Sequence, residues 1–311
     1  MDAATQSVWA ECARRALQAL DLATSSVRAE PCGQPPSEGA AAHTPAVAGV
    51  PPTIPGMARV RPGEAANPAP PTVARVRLRF AKRGRLRFLS HRDVARSFER
   101  AVRRAGLPVS HSHGFSPHPR LSWVGAAPTG AASEAEYVEI GLTEAVEPAV
   151  VARALDAALP DGLDVLAAAA AGGASLADRI DASRWSIELP GVAPEVLRAA
   201  LSALVERESV VVERITPSGR RQIDVRAALV DAQVSAGGRL DAGIDVCAIL
   251  TAVVRQMTPA VRPDDVLGAL DVVADLRPPV PPKATRTAQG LLDDGGALAD
   301  PLGPDRVTTR A

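Results

Sequence analysis

The chain has 311 residues, 46% of them apolar, and a formal net charge of zero, enough for one or two domains with a buried core. No run approaches the roughly 18 apolar residues of a membrane-crossing helix, and Asp2, Glu11, Arg14 and Arg15 stand where a signal peptide would be apolar, so a cytoplasmic location with no membrane contact is expected. Three widely spaced cysteines, Cys12, Cys32 and Cys247, exclude a zinc knuckle or iron–sulfur cluster held by this chain alone, and 3% aromatic content leaves little for a base-stacking surface.

Residues 1–72 read as a disordered extension and linker. A short helix over 6–22, with Val8, Cys12, Ala16 and Leu20 on one side, fits either a partner-binding segment or a non-native upstream extension. Residues 31–71 hold eleven prolines among Ala and Gly with no helical or strand period.

Order begins at residue 74. In "RVRLRFAK" (75–82), Val76, Leu78 and Phe80 alternate with Arg75, Arg77 and Arg79, which predicts a half-buried strand with a basic outer face. "SHRDVARSFERAVRRAGLP" (90–108) carries both ends of a helix: Ser90 with Asp93 as a capping box, Gly106 near the C-cap, and Pro108 to stop it. Val94, Phe98, Ala101, Val102 and Ala105 share one arc; Arg92, Arg96, Arg100, Arg103 and Arg104 share the opposite one. From Arg75 to Arg120 there are thirteen Lys or Arg against two acids, a net of +11 that the rest of the chain cancels.

The loop "SHSHGFSPHPRLSW" (110–123) follows, then a strand at 136–142, a helix at 147–159 and a strand at 163–170. The order strand, helix, strand, strand, helix, strand is that of a ferredoxin-like α+β sandwich, and residues 74–172 are assigned to it. A second α+β half of the same βαββαβ-like kind is read over 183–276: strand 184–189, helix 194–207, strand 209–215, the runs 221–235 and 240–253, and a short helix begun by Pro263. Residues 277–311 lack a pattern and read as a disordered tail.

Three chemistries compete for the conspicuous residues. His111 and His113, with His118 or with His91 and Asp93, have the types for a metal site, but no established metal frame accompanies them, and no metal or cofactor is assigned. Ser90, His91 and Asp93 cannot form a triad on one helix start, whereas a lone His91 or His118 could act as general acid/base on an RNA 2′-hydroxyl. The third is anion binding: the helix start at Ser90 offers free N–H groups, and Arg87 with the "GFSP" backbone completes a cradle for phosphate. A solvated basic face is the ordinary alternative, but two adjacent elements with basic outer faces point to RNA or another polyanion.

Together, "KRGRLRFLSHRDVARSFERAVRRAGLPVSHSHGFSPHPRLSW", "APTGAASEAEYVEI", "IDVR" and "VRPDDVL" resemble the radical SAM-linked domain of unknown function, DUF2344, in its stand-alone actinobacterial-type form. The resemblance spans roughly residues 74–275. It implies a companion to radical SAM proteins, found beside ribonuclease E/G-type systems, and no family catalytic residue is established. Motif positions carried over are Lys82, Gly84, Arg87, Ser90, His91, Asp93, Arg100, Gly114, Phe115, Pro117, His118, Pro119, Ser133, Glu136 and Tyr137. The usual loop resembles "YSQGFNPHP", so His111 and His113 depart from it while His118 matches. The expected binding cleft combines Lys82, Arg87, Ser90, His91, Asp93, Arg96, Arg100, Gly114, Phe115, Pro117, His118, Pro119, Arg120 and Glu136. The leading expectation is a non-catalytic module for RNA or an RNA-processing or radical SAM partner; the alternative is a metal-independent endoribonuclease.

Overall fold

A computed structural model of the chain describes residues 70–113, 116–216, 219–238 and 246–308. The expected N-terminal helix, most of the proline-rich segment, and Gly114 and Phe115 lie outside the described residues.

The first half runs β1 (Ala74–Lys82), α1 (His91–Arg104), β2 (Leu121–Val124), β3 (Ala132–Leu142), α2 (Pro148–Asp156) and β4 (Val165–Ala170). β1 lies between β3 and β4, antiparallel to both, and β2 pairs antiparallel with β3. The second runs β5 (Ala182–Pro190), α3 (Pro194–Val205), the hairpin β6 (Val211–Thr216) and β7 (Gly219–Asp224), α4 (Val225–Ala228), β8 (Leu229–Ala236), β9 (Cys247–Arg255), α5 (Pro263–Ala274) and β10 (Lys283–Gly290). β5 lies between β9 and β10, and β8 pairs with β9, all antiparallel. With the β6–β7 hairpin set aside, the pairing order of the first half is repeated. A last short helix, α6 (Gly303–Thr308), follows.

The two halves share one sheet. β10 runs parallel to the start of β3, Thr285 opposite Ala132 and Arg286 opposite Ser133, on the same edge of β3 that β2 occupies further along. The architecture is therefore α+β around a large mixed sheet, with one apolar core per half: Phe80, Phe98 and Ile140 anchor the first, Ile187, Leu204 and Leu250 the second. β2 supplies a strand to which the sequence pattern had assigned no residues.

α1 forms as its sequence dictates. Ser90 Oγ accepts from the Asp93 backbone N–H at 3.3 Å and donates to Asp93 Oδ2 at 2.6 Å, tying down the first turn. At the other end Gly106, at φ +62°, lets its own N–H reach Arg103 O and the Leu107 N–H reach Val102 O, closing the helix in a Schellman pattern. Val94, Phe98, Ala101 and Val102 are buried, while Arg92, Arg96, Arg100, Arg103 and Arg104 face solvent.

Two expectations are corrected. First, residues 277–311 are not a patternless tail: β10 lies inside them, completing the second half beyond Leu276, and the chain then doubles back, so that a Cβ on Gly290 would run into the Ala299 carbonyl. Second, the outer face of β1 is a solvated basic surface only at Arg75, and beyond it the face is covered. Leu176, Ile180 and Leu302 pack with Ala135, Tyr137 and Ala169 in a third cluster, and Arg77, 3% exposed, lies among acceptors there. Its Nε donates to Glu139 Oε2 at 2.8 Å, and Nη1 to Asp305 Oδ2 at 3.0 Å and to Gly172 O at 2.9 Å.

Tyr137 reports on this second face. Burial, with the Asp300 carboxylate adding to it, pushes its phenol up to about 12 against the opposing Arg79 and Arg286. Its stabilising contribution is thus complete below pH 10 and is lost as pH rises through about 12. Tyr137→Phe is expected to abolish an alkaline loss of about 2–3 kcal/mol, read as the denaturant midpoint across that window; an unchanged alkaline limb would refute the assignment.

Candidate functional site

Where β1 ends, the register shifts between Phe80 and Lys82, and the irregularity brings Lys82 opposite Ser133. Lys82 is 2% exposed; its Nζ donates to Ala127 O and Pro128 O, both at 3.3 Å. Glu136, also buried, accepts from the Ala127 N–H at 3.0 Å and from Arg286 Nη2 of β10. Arg286 Nε reaches Ser133 Oγ at 3.4 Å, and its guanidinium lies 5.5 Å from the Trp185 ring centre. Gln289, three residues further along β10 past a register shift, donates to Ala135 O at 2.6 Å. Burial pushes the Lys82 ammonium below its usual range, with Glu136 opposing this and Arg286 adding to it.

This buried Lys82–Glu136–Arg286 group has two cations for one carboxylate and sits between two clefts. One is narrow and lined by His91, Trp123, Lys82, Glu136 and Tyr137, with the His91 imidazole edge-on to Trp123 at 5.5 Å. The other, about 200 Å³, opens on the far side of the 125–128 segment and is lined by Trp185, Arg255, Arg262, Arg286 and Gln289 among others. Gly125 separates them: it is at φ +58°, and a Cβ there would meet Gln289 Oε1 at 2.6 Å.

The residues expected to form one cleft divide into three places. Lys82, His91 and Glu136 come together in the narrow cleft. Ser90 and Asp93 serve as the α1 cap, where the Ser90 hydroxyl first, and Arg96 at 3.8 Å, hold the Asp93 carboxyl below its usual value. Arg87 precedes them in a 3-10 turn, Gly84–Phe88, with its guanidinium 4.7 Å from the Phe88 ring and its carbonyl accepting from Gly130 N–H. Arg96 and Arg100 stand on the exposed α1 face, the latter donating to Ser97 Oγ at 3.2 Å.

The histidine loop lies elsewhere. His111 bridges to Pro119, Ser112 N–H donates to His118 O at 2.8 Å, and His118 N–H returns to Ser112 Oγ at 3.0 Å, so the stem is a closed hairpin with Pro117 and His118 exposed. His118, Pro119 and Arg120 line a depression with Arg75, Ser122 and Glu139, not the cleft of His91. The expected meeting of His91 and His118 is therefore replaced by two separate sites. Among the described residues no group of His, Cys, Asp and Glu gathers as a metal site requires.

Sequence reasoning missed Arg286, Gln289 and Trp185. Lys82 and Glu136, their neighbours in the site, were named as motif positions, but nothing in the motifs pointed to a partner on β10. A family model described as an uncharacterised protein conserved in bacteria, DUF2344, matches residues 75–263. No curated protein matches the chain.

Proposed function

The chain belongs to the DUF2344 family of uncharacterised bacterial proteins, and we propose that within it this protein is a non-catalytic α+β module that binds RNA through α1 and serves an RNA-processing or radical SAM partner in the cytoplasm. On this reading it is the stand-alone actinobacterial-type form, and each half is ferredoxin-like, in keeping with the repeated pairing order of β1–β4 and of β5, β8, β9 and β10. The observation that carries the RNA reading is the division of the basic residues. On β1 and beyond, Arg77 and Arg83 are taken up by Glu139, Asp305, Glu134 and Asp164, whereas on α1 the exposed Arg92, Arg96, Arg100 and Arg103 form a continuous stripe with Asp93 the one carboxylate in ion-pair contact among the described residues. Such a stripe matches a phosphate backbone, and the helix start beside His91 adds N–H donors at one end.

Affinity for single-stranded RNA should fall steeply with salt and vanish near 0.5 M, roughly as expected for backbone contacts. Arg96→Ala and Arg100→Ala should each lower the slope of log K against log salt by about 0.7, measured by anisotropy on a labelled RNA. Failure of the chain to bind RNA at low salt sinks the reading. RNA cleavage in EDTA that His91→Ala abolishes would instead support the endoribonuclease alternative.

A further inference from the structure

The larger cleft, between the two halves, is a second place with unbalanced charge, and it is independent of the α1 stripe. Its cationic liners are Arg255, Arg262 and Arg286, and no Asp or Glu lines it. Arg286 is 4% exposed; its Nε and one Nη are engaged by Ser133 and Glu136, and its other Nη has no hydrogen bond among the described residues. Glu136 already serves Lys82 as well as Arg286. Arg255 meets Asp181 only at 3.9 Å in an exposed pair, and Arg262 makes no ion pair among the described residues, because Asp265 beside it is held by Arg214 and by the Arg262 backbone N–H. The wall beside these groups is apolar, from Pro128, Trp185, Val254 and Val261.

At about 200 Å³ the cleft lies just below the roughly 300–1,000 Å³ of small-molecule pockets, room for a phosphate and part of the group that carries it. A buried arginine with a free fork position, two further arginines at the rim and no carboxylate call for a compact dianion, and the apolar wall calls for a flat body attached to it. We propose that the cleft between the two halves binds the phosphate monoester of a nucleotide, with Arg286 at its floor and Arg255 and Arg262 at its rim. The monoester is carried equally by a free nucleoside monophosphate and by the terminal phosphate of an RNA.

The test is calorimetry of the full chain with 5′-AMP, with adenosine, and with one RNA oligonucleotide bearing either a 5′-phosphate or a 5′-hydroxyl. AMP is expected to bind saturably and adenosine at least about tenfold more weakly. Arg262→Ala, an exposed change that leaves the circular dichroism intact, should weaken AMP by about tenfold and leave 5′-hydroxyl RNA unaffected. Arg286→Lys, which keeps the charge but not the fork, should lose AMP binding. Binding of AMP no tighter than adenosine, or insensitive to Arg262→Ala, overturns the proposal. Arg96→Ala separates the two readings, since it weakens RNA but not AMP. A 5′-phosphate increment in RNA affinity that Arg262→Ala removes assigns the source to an RNA end; equal binding of the two RNAs, with AMP still bound, assigns it to the free nucleotide.

Discussion

Asp305→Ala is expected to lower the unfolding free energy by about 3–5 kcal/mol, a large share of the roughly 5–15 kcal/mol of an ordinary domain. Asp305 is 2% exposed, and its carboxylate receives Arg77 at 3.0 Å, Arg179 at 2.9 Å and the Gly172 N–H at 3.1 Å. Both arginines are themselves buried, so removing the acceptor leaves Arg179 with backbone carbonyls alone and Arg77 with Glu139 and the Gly172 and Ala174 carbonyls. Desolvation of an unpaired guanidinium, not the lost Coulomb attraction, sets the size of the effect. The denaturant midpoint should fall with an unchanged slope. Asp305→Asn, which keeps the shape and one acceptor oxygen, should recover a minor part of the loss. A midpoint shift worth less than about 1 kcal/mol would mean that water reaches this face and screens the pair.

That network was not legible in the sequence. Arg75, Arg77 and Arg79 alternate with apolar residues as a solvent-facing row does, and periodicity says only which residues share a face, not what covers it. The cover comes from residues 172–180 and from Leu302 and Asp305, far along the chain, and its pairing partner for Arg77 lies 228 positions away. What periodicity could reach was read well: α1 with its cap, its buried arc and its exposed arginines; β1, β4 and β5; and α3 and α5, each begun by a proline. Pro194 and Pro263 fix φ where an N–H bond is absent anyway, which is why these helix starts are visible.

β10 escaped for a different reason. In "KATRTAQG" the inward positions are Arg286, Gln289 and Gly290, and the apolar ones are alanines, so the alternation that marks a strand is missing. It is nonetheless central, because it completes the second half, joins the two halves along β3 and delivers Arg286 to Glu136. The candidate site was half visible by the same logic. Lys82, His91 and Glu136 were named and do converge; the histidine loop was drawn into their cleft by charge and composition, which carry no distance. Local bonds between Ser112 and His118 instead fold that loop onto its own stem.

The second large effect is expected from Glu136→Gln. Glu136 is the carboxylate facing both Lys82 and Arg286, each less than 5% exposed, and the amide would leave two buried cations without a counter-charge, at a cost of about 3–5 kcal/mol. Two readouts separate this from simple misfitting of the new side chain. The first is pH. Lys82 already titrates below its unfolded value of 10.5, so stability is greatest above that pH and is lost as pH falls through the folded value. Without Glu136 the folded value drops further, and the loss should extend to lower pH. The second is a double-mutant cycle. Adding Lys82→Met to Glu136→Gln takes away one of the two uncompensated charges, so the pair should be more stable than Glu136→Gln alone, whereas unrelated packing defects would add. If the double variant is less stable than either single change, the two side chains do not act as a charge pair, and the excess positive charge assigned to the seam between the halves falls with it.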